Sequence, residues 1–331
     1  MKIKEIIGID LSKLTVDVFI YSTKDKATFK NTPKELNQFI KWVFSTSKHT
    51  KKETFFVFEH TGIYAEHLTN VLSKRQLCYS IISGLEIKKS LGITRGKDDS
   101  IDAYRIALYG YRLREELKAD QPVDLTIKKM KTLSTLRKRM VRERAGYMAS
   151  LKEQKQILNS KDYNFVFSTQ RRIIETLSKE IEAIELEIKT LINQDTALKR
   201  LYNLILSVKG VGTITAVSLI IHTHRFKKFK TWRKFASYCG IAPFPYKSGS
   251  SVRGRTKVSN LANKEIKTLL NMCALSAIKH DPEMKLYYQR RIEIGKHKMS
   301  TINIVRNKLV ARIFAVVNRG TEYVDVLKYA C

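Results

Sequence analysis

The sequence predicts an α/β unit at the N-terminus followed by a mostly α-helical remainder. Three observations carry that reading. Over residues 1–90, short runs rich in Ile, Val, Phe and Tyr alternate with segments of helical spacing. From about 125 to 195, Gly and Pro nearly vanish and apolar residues recur at heptad spacing. From 198 onward, apolar helical segments are joined by turns carrying glycine.

In chain order, residues 3–9, 14–21 and 27–30 read as three strands separated by polar turns such as Ser22-Thr23-Lys24-Asp25. Asn31-Thr32-Pro33 then starts a helix with Leu36, Phe39, Ile40 and Val43 on one face. A strand over 54–58, a helix over Tyr64–Arg75 and a strand over Cys78–Ile82 follow. Strand, strand, strand, helix, strand, helix, strand is the order of a ribonuclease-H-like domain. Helix 125–158 comes next, and Ser160–Thr169 is polar enough for a turn. Ile174, Leu177, Ile181, Ile184, Ile188 and Leu191 then form a 3,4,3,4,3 seam, as in a coiled-coil hairpin or a helix pairing with another protomer. The third part opens with Val208-Lys209-Gly210-Val211-Gly212 between two apolar helical segments, a helix-hairpin-helix pattern. A Gly/Ser/Arg-rich loop follows, then helices over Leu261–Ile278, Pro282–Gly295 and Ile302–Val317. The expected division is 1–124, 125–197 and 198–331.

Composition narrows the function. The chain has 331 residues, with 62 Lys+Arg against 31 Asp+Glu, a formal charge of +31. Residues 201–331 hold 24 basic and 6 acidic residues, net +18, leaving +13 for residues 1–200. Such an excess points to a polyanionic partner, because cations displace condensed counterions from phosphates. The four cysteines are scattered, without C-x-x-C spacing, so zinc and disulfide readings are weak and a reducing compartment is expected. Nothing resembles a signal peptide or a membrane span, so the expected setting is soluble and cytoplasmic, with no membrane partner.

Four carboxylates carry the chemistry. Asp10 and Glu59 each follow an apolar strand run, and Asp99 and Asp102 stand three apart at the start of a helical segment, on one face. Asp98 competes with Asp99, but the D-x-x-D spacing selects Asp99. Converging carboxylates make a cage of hard oxygens suited to Mg²⁺, or Mn²⁺, and to phosphoryl transfer. In the hairpin pattern, Lys209, Gly210 and Gly212 suit contact with a phosphate, since glycine lets backbone N–H groups face an anion. Ser248, Ser250 and Ser251 sit in KSGSSVRGR beside Lys247, Gly249, Gly254, Arg253 and Arg255. A serine hydroxyl is a poor nucleophile without activation, so by its residues alone this loop reads as phosphate-binding rather than covalent.

Taken together, GIDLSK with Asp10, Glu59, the GKDDSIDA box, VKGVG and the GIAPFPYKSG box resemble the DEDD insertion-sequence recombinases, the insertion-sequence-110 family and its invertase relatives. The resemblance runs in order over nearly the whole chain. It implies a RuvC-like domain with a Mg²⁺-dependent tetrad on Asp10, Glu59, Asp99 and Asp102, a coiled-coil segment, and a transposase domain. The family's nucleophilic serine falls on Ser248, which turns the serine reading towards a phosphoserine intermediate. A structured bridge RNA pairing with target and donor DNA, and a homo-oligomer (dimer or tetramer), are implied too. Two other readings stay in view. One is a RuvC-like, metal-dependent junction endonuclease without a covalent intermediate. The other is a non-catalytic architectural protein on the same fold.

Overall fold

Strand β1 (Glu5–Leu11) is buried on both faces, which is why its sequence is an almost unbroken apolar run. The computed structural model describes residues 3–90, 99–122, 124–248 and 252–325. They fall into two compact units, residues 1–122 and 123–331.

In the first unit, β1, β2 (Thr15–Ile20) and β3 (Lys26–Lys30) form an antiparallel meander. β4 (Thr54–Glu59) adds parallel to β1, and β5 (Cys78–Ile82) adds parallel to β4, giving the order β3-β2-β1-β4-β5. Helix α1 (Pro33–Thr46) starts where expected: Pro33 opens it, and the Thr32 hydroxyl accepts the Glu35 N–H at 3.4 Å. It packs with α2 (Glu66–Lys74) on one face of the sheet, over Ile7, Ile9, Phe56 and Phe58. The opposite face, Ile6, Phe55 and Val57, is covered by α3 (Gly84–Ser90) and α4 (Asp99–Arg112) through Ile87, Ala103, Ile106 and Ala107. A mixed sheet with helices on both faces is consistent with the RuvC-like expectation. The sequence reading contains no counterpart of α3; its seven residues are too few for helical periodicity to stand out.

In the second unit, α5 (Leu125–Ile157) and α6 (Asn164–Asn193) fold back on each other. Arg137 bonds Glu185 at 2.6 Å, Arg144 bonds Ser178 at 3.1 Å and Gln170 bonds Gln154 at 2.9 Å, so the pair is antiparallel. Where the sequence predicts a turn over Ser160–Thr169, α6 already begins at Asn164. Phe167 explains the difference: it is 1% exposed, so burying its ring extends the helix into a stretch that looks polar. Helices α7 (Thr196–Leu206) and α8 (Thr213–Thr223) flank a turn in which Gly210 has φ +90°. A short α9 (Trp232–Tyr238) leads to β6 (Pro243–Ser248) and β7 (Val252–Val258), and α10 (Lys264–His280), α11 (Pro282–Glu293) and α12 (Lys298–Arg319) complete the unit. One core gathers residues from α5 through α12. No described helix is long and apolar enough to cross a membrane.

Candidate active site

Strand parity decides which way the first two carboxylates face. Ile6 and Gly8 of β1 and Phe55 and Val57 of β4 lie on the α4 side of the sheet, and Asp10 and Glu59 continue that same alternation. The parallel register pairs Ile9 with Phe58, so the next step along brings Asp10 beside Glu59 at the carboxyl ends of the two central strands.

Helix α4 reaches the same end because Gly8 lets it sit almost on the strand. A Cβ on Gly8 would stand 2.3 Å from the Ala103 carbonyl and 2.4 Å from the Ala107 nitrogen. Farther along, Gly110 meets Ile6 and Val57. The helix therefore runs from the carboxyl ends of the strands back towards their amino ends, and its first turn, with Asp102, lies at the Asp10 end. Asp102 accepts a bond from Arg105 Nη1 at 2.8 Å. Asp99 is the first residue of α4; its side chain, and Asp98 altogether, lie outside the described residues.

Glu59 is seated on a glycine. A Cβ on Gly84 would stand 2.0 Å from Glu59 Oε1 and 2.9 Å from Oε2, so the carboxylate, Oε1 foremost, occupies the space left by the missing side chain at the start of α3. Among the described residues no group of three acidic, histidine or cysteine side chains closes to metal-holding distance. The three described carboxylates at this end of the sheet, Asp10, Glu59 and Asp102, nevertheless offer hard oxygens, the chemistry that suits Mg²⁺ or Mn²⁺.

The expected serine loop is instead a β-hairpin. Ser248 is the last residue of β6 and pairs with Val252, Lys247 pairs with Arg253, and Tyr246 pairs with Gly254. Arg255 lies in β7, and Gly249, Ser250 and Ser251 lie outside the described residues. Val252, Gly254, Thr256 and Val258 alternate with Arg253, Arg255 and Lys257, a period-two pattern that the glycine and serine content obscures. In the turn before α8, Lys209 forms an ion pair with Asp325. Gly210 is where α10 comes close: a Cβ there would stand 2.7 Å from that of Ala277. Gly212 is the N-cap residue of α8, with open space where a Cβ would be.

Comparison with known proteins gives the family. Residues 7–158 match the DEDD model of the IS110 group, described as a transposase, and residues 202–289 match the model described as Transposase IS116/IS110/IS902 family. The chain belongs to the IS110 transposase family. Over 331 aligned residues the transposase is 27% identical to the pilin gene-inverting protein of Moraxella bovis, covering 97% of this chain and 98% of that one. It is 33% identical over 157 residues to the transposase for insertion sequence element IS1328 of Yersinia enterocolitica, covering 44% of this chain and 43% of that one. An insertion element IS110 protein of Streptomyces coelicolor is 28% identical over 155 residues, covering 46% of this chain and 38% of that one. The transposase is thus an enzyme of DNA recombination, and its substrate is DNA.

Two features of the transposase escape the sequence reading. Arg306 of α12 is 6% exposed, and its guanidinium bonds the side-chain oxygens of Asn271 and Asn303. Among the described residues its Nε has no hydrogen-bond partner. Burial pulls its pKa below the usual arginine value. On the same helix, Asn303 and Asn307 both donate to the Ile241 carbonyl, at 2.8 and 3.0 Å, two residues before β6. Nearby, Asn263 donates to the Tyr238 hydroxyl at 3.0 Å, and that hydroxyl lies 3.3 Å from His222 Nδ1. Burial lowers the His222 pKa, so neutral imidazole is favoured and Tyr238 can donate to it. No spacing rule marks either cluster, because each joins α12 or α8 to residues far away in the chain, Asn271 and Ile241 in one and Tyr238 and Asn263 in the other.

Proposed function

We propose that this transposase cuts and rejoins DNA through a covalent phosphoserine on Ser248, with Asp10, Glu59, Asp99 and Asp102 holding Mg²⁺, or Mn²⁺. The observation that carries the metal part is the shared end of the sheet: Asp10 and Glu59 on one face, Asp102 in the first turn of the helix above. Divalent metal bound there would polarise the scissile phosphate and stabilise the leaving oxygen. Within the chain, Gly84 seats Glu59 and Arg105 orients Asp102.

The Ser248 Oγ attacks phosphorus, a P–Oγ bond forms, and the bond to the 3′-oxygen breaks. The Ser248 hydroxyl gives up its proton as the bond forms and the released 3′-oxygen takes one up, so the exchange is proton-neutral. Rejoining reverses the step: a 3′-hydroxyl of another strand attacks the phosphoserine and Ser248 leaves. The phosphodiester energy is retained, so no nucleotide cofactor is needed. Lys247, Arg253 and Arg255 neutralise phosphate charge near the serine. Lys209, Gly210 and Gly212 add a helix-hairpin-helix contact to the DNA backbone, and the α5–α6 pair acts as a coiled coil that assembles a dimer or tetramer.

A bridge RNA would choose the target and donor DNA by base pairing, a reading supported by the family resemblance and by the charge of +31. Likeness over the full length to a pilin gene-inverting protein makes inversion of a DNA segment a second possible outcome of the same chemistry. The work is placed in the cytoplasm, on the bacterial nucleoid.

The deciding experiment traps the intermediate on a nicked substrate. Wild-type protein should carry DNA through a denaturing gel, and peptide mapping should place the adduct in YKSGSSVR. Ser248→Ala should lose both adduct and recombination. Asp10→Ala, Glu59→Ala or Asp102→Ala should lose strand exchange but keep nucleic-acid binding. Cutting and rejoining by Ser248→Ala would remove the covalent reading.

A further inference from the structure

Between Asp195 and Glu265 the chain holds not one acidic residue. Two cations in this stretch find carboxylates elsewhere in their own unit. Arg225 pairs with both Asp124 and Asp195, and Lys209 pairs with Asp325. Five others, Lys227, Lys228, Lys230, Arg233 and Lys234, are exposed. Among the described residues none of the five pairs with a carboxylate.

The backbone that presents them is unusual. His224, Arg225 and Phe226 are three successive non-glycine residues in the left-handed region, with φ of +48°, +57° and +62°. Such a run persists only where its surroundings over-determine it, and it clusters where a protein has a use for it. Here the surroundings do so. Arg225 is held by two helix-capping aspartates, the Phe226 N–H donates to the Thr223 hydroxyl at 3.0 Å, and Lys228 N–H donates to the Thr223 carbonyl at 3.0 Å.

The aromatic residues between the cations face inward. Phe226 packs on Phe314 with ring centres 4.9 Å apart, and Phe229 packs on Phe235 at 5.2 Å and Tyr238 at 5.1 Å. Trp232 joins the same core. The half-buried rings of this stretch are packed on the core from within, and Lys228 lies over the Phe229 and Tyr238 rings while Arg233 lies over that of Trp232 at 5.2 Å, so little ring face is left for splayed bases to stack on, the device that single-stranded binders use. What remains outside is a run of ammonium and guanidinium groups beside a turn held by Arg225 and Thr223, suited to a row of phosphates.

We infer that the turn and helix start spanning 227–234 form a docking surface for the phosphate backbone of duplex DNA. The surface reads charge and not sequence, and it is separate from the carboxylate and serine assignments. It holds the substrate of an enzyme already known to act on DNA. Its cations should contribute to affinity through counterion release.

The test uses the full chain in chelator, without divalent metal, so that it reads binding alone and stands apart from the catalytic readings. Binding to a fluorescent duplex of random sequence is titrated between about 50 and 300 mM salt, where phosphate contacts dominate affinity. The variants are Lys227→Gln/Lys228→Gln/Lys230→Gln and, as a control, Lys179→Gln/Lys189→Gln on the exposed side of α6. If all three lysines touch phosphate, the log–log salt slope becomes shallower by about 2.7. Affinity at roughly 100 mM salt should fall at least tenfold. The control should keep both within error, and thermal melting should show all three proteins folded. An unchanged slope in the triple variant, or an equal loss in the control, overturns the proposal. So does a loss confined to a structured RNA hairpin with duplex DNA binding intact, since the surface would then belong to RNA.

Discussion

Gly84 makes the sharpest residue-scale case, because the only thing it contributes is the absence of a side chain. A methyl there would meet the Glu59 carboxylate at 2.0 Å, so in Gly84→Ala the carboxylate must swing away from its seat. The clash is with the far end of a flexible side chain, so folding should be little affected. Metal-dependent strand cleavage should fall by about an order of magnitude, with more Mg²⁺ needed for half-maximal rate, since misplacing a catalytic group by about 1 Å can cost 10²-fold. Unchanged cleavage at limiting Mg²⁺ would separate Glu59 from metal binding. Gly8 offers a contrast: there a Cβ would meet the backbone of α4, so the helix itself would have to move.

At the scale of elements, the junction of α5, α7 and α8 depends on Arg225. Asp124 and Asp195 cap α5 and α7 by accepting the Thr126 and Leu198 N–H groups at 2.8 and 2.9 Å, and Arg225 ties both aspartates to the end of α8. The Leu198 N–H first, and then the Arg225 guanidinium, hold the Asp195 carboxyl below its ordinary pKa. A depressed carboxylate pKa contributes stability above its unfolded value, about 3.9, and that stability is lost as pH falls through the folded pKa. Arg225→Gln should therefore lower stability by about 1–2 kcal/mol at neutral pH, a modest figure because both aspartates are partly exposed. It should also shrink the acid-sensitive part, while the Leu198 bond preserves the rest. Urea unfolding at neutral pH and near pH 3 checks both; equal losses at the two pH values would mean that Arg225 does not act through Asp195.

For the whole molecule, the informative fact is that each core cluster of the described residues belongs to one unit. The two clusters flanking the five-stranded sheet draw only on residues 3–117, and the helical cluster only on residues 127–323. Each unit buries its own apolar surface, which is the condition for folding alone. Residues 1–122 expressed by themselves should therefore melt in one cooperative transition with mixed α/β circular dichroism. A fragment without a cooperative transition would show that the sheet needs the helical unit to fold.

The sequence alone determined the alternation of strands and helices, the burial of β1 and β4, the position of Asp10 and Glu59 at the ends of their apolar runs and the family. These depend on local patterns, apolar periodicity and short motifs, which a single chain displays directly. It also exposed the charge excess, because counting needs no geometry. Only the tertiary structure decided that Asp10 and Glu59 share the α4 face, since strand register is a relation between segments far apart in the chain. It alone turned the serine loop into the β6–β7 hairpin, pulled Phe167 into a helix and brought Arg306 to Asn271. Glycines 8 and 84 show the limit most clearly. A sequence reveals that a side chain is missing, but what occupies the space it leaves is fixed by whichever distant element packs there.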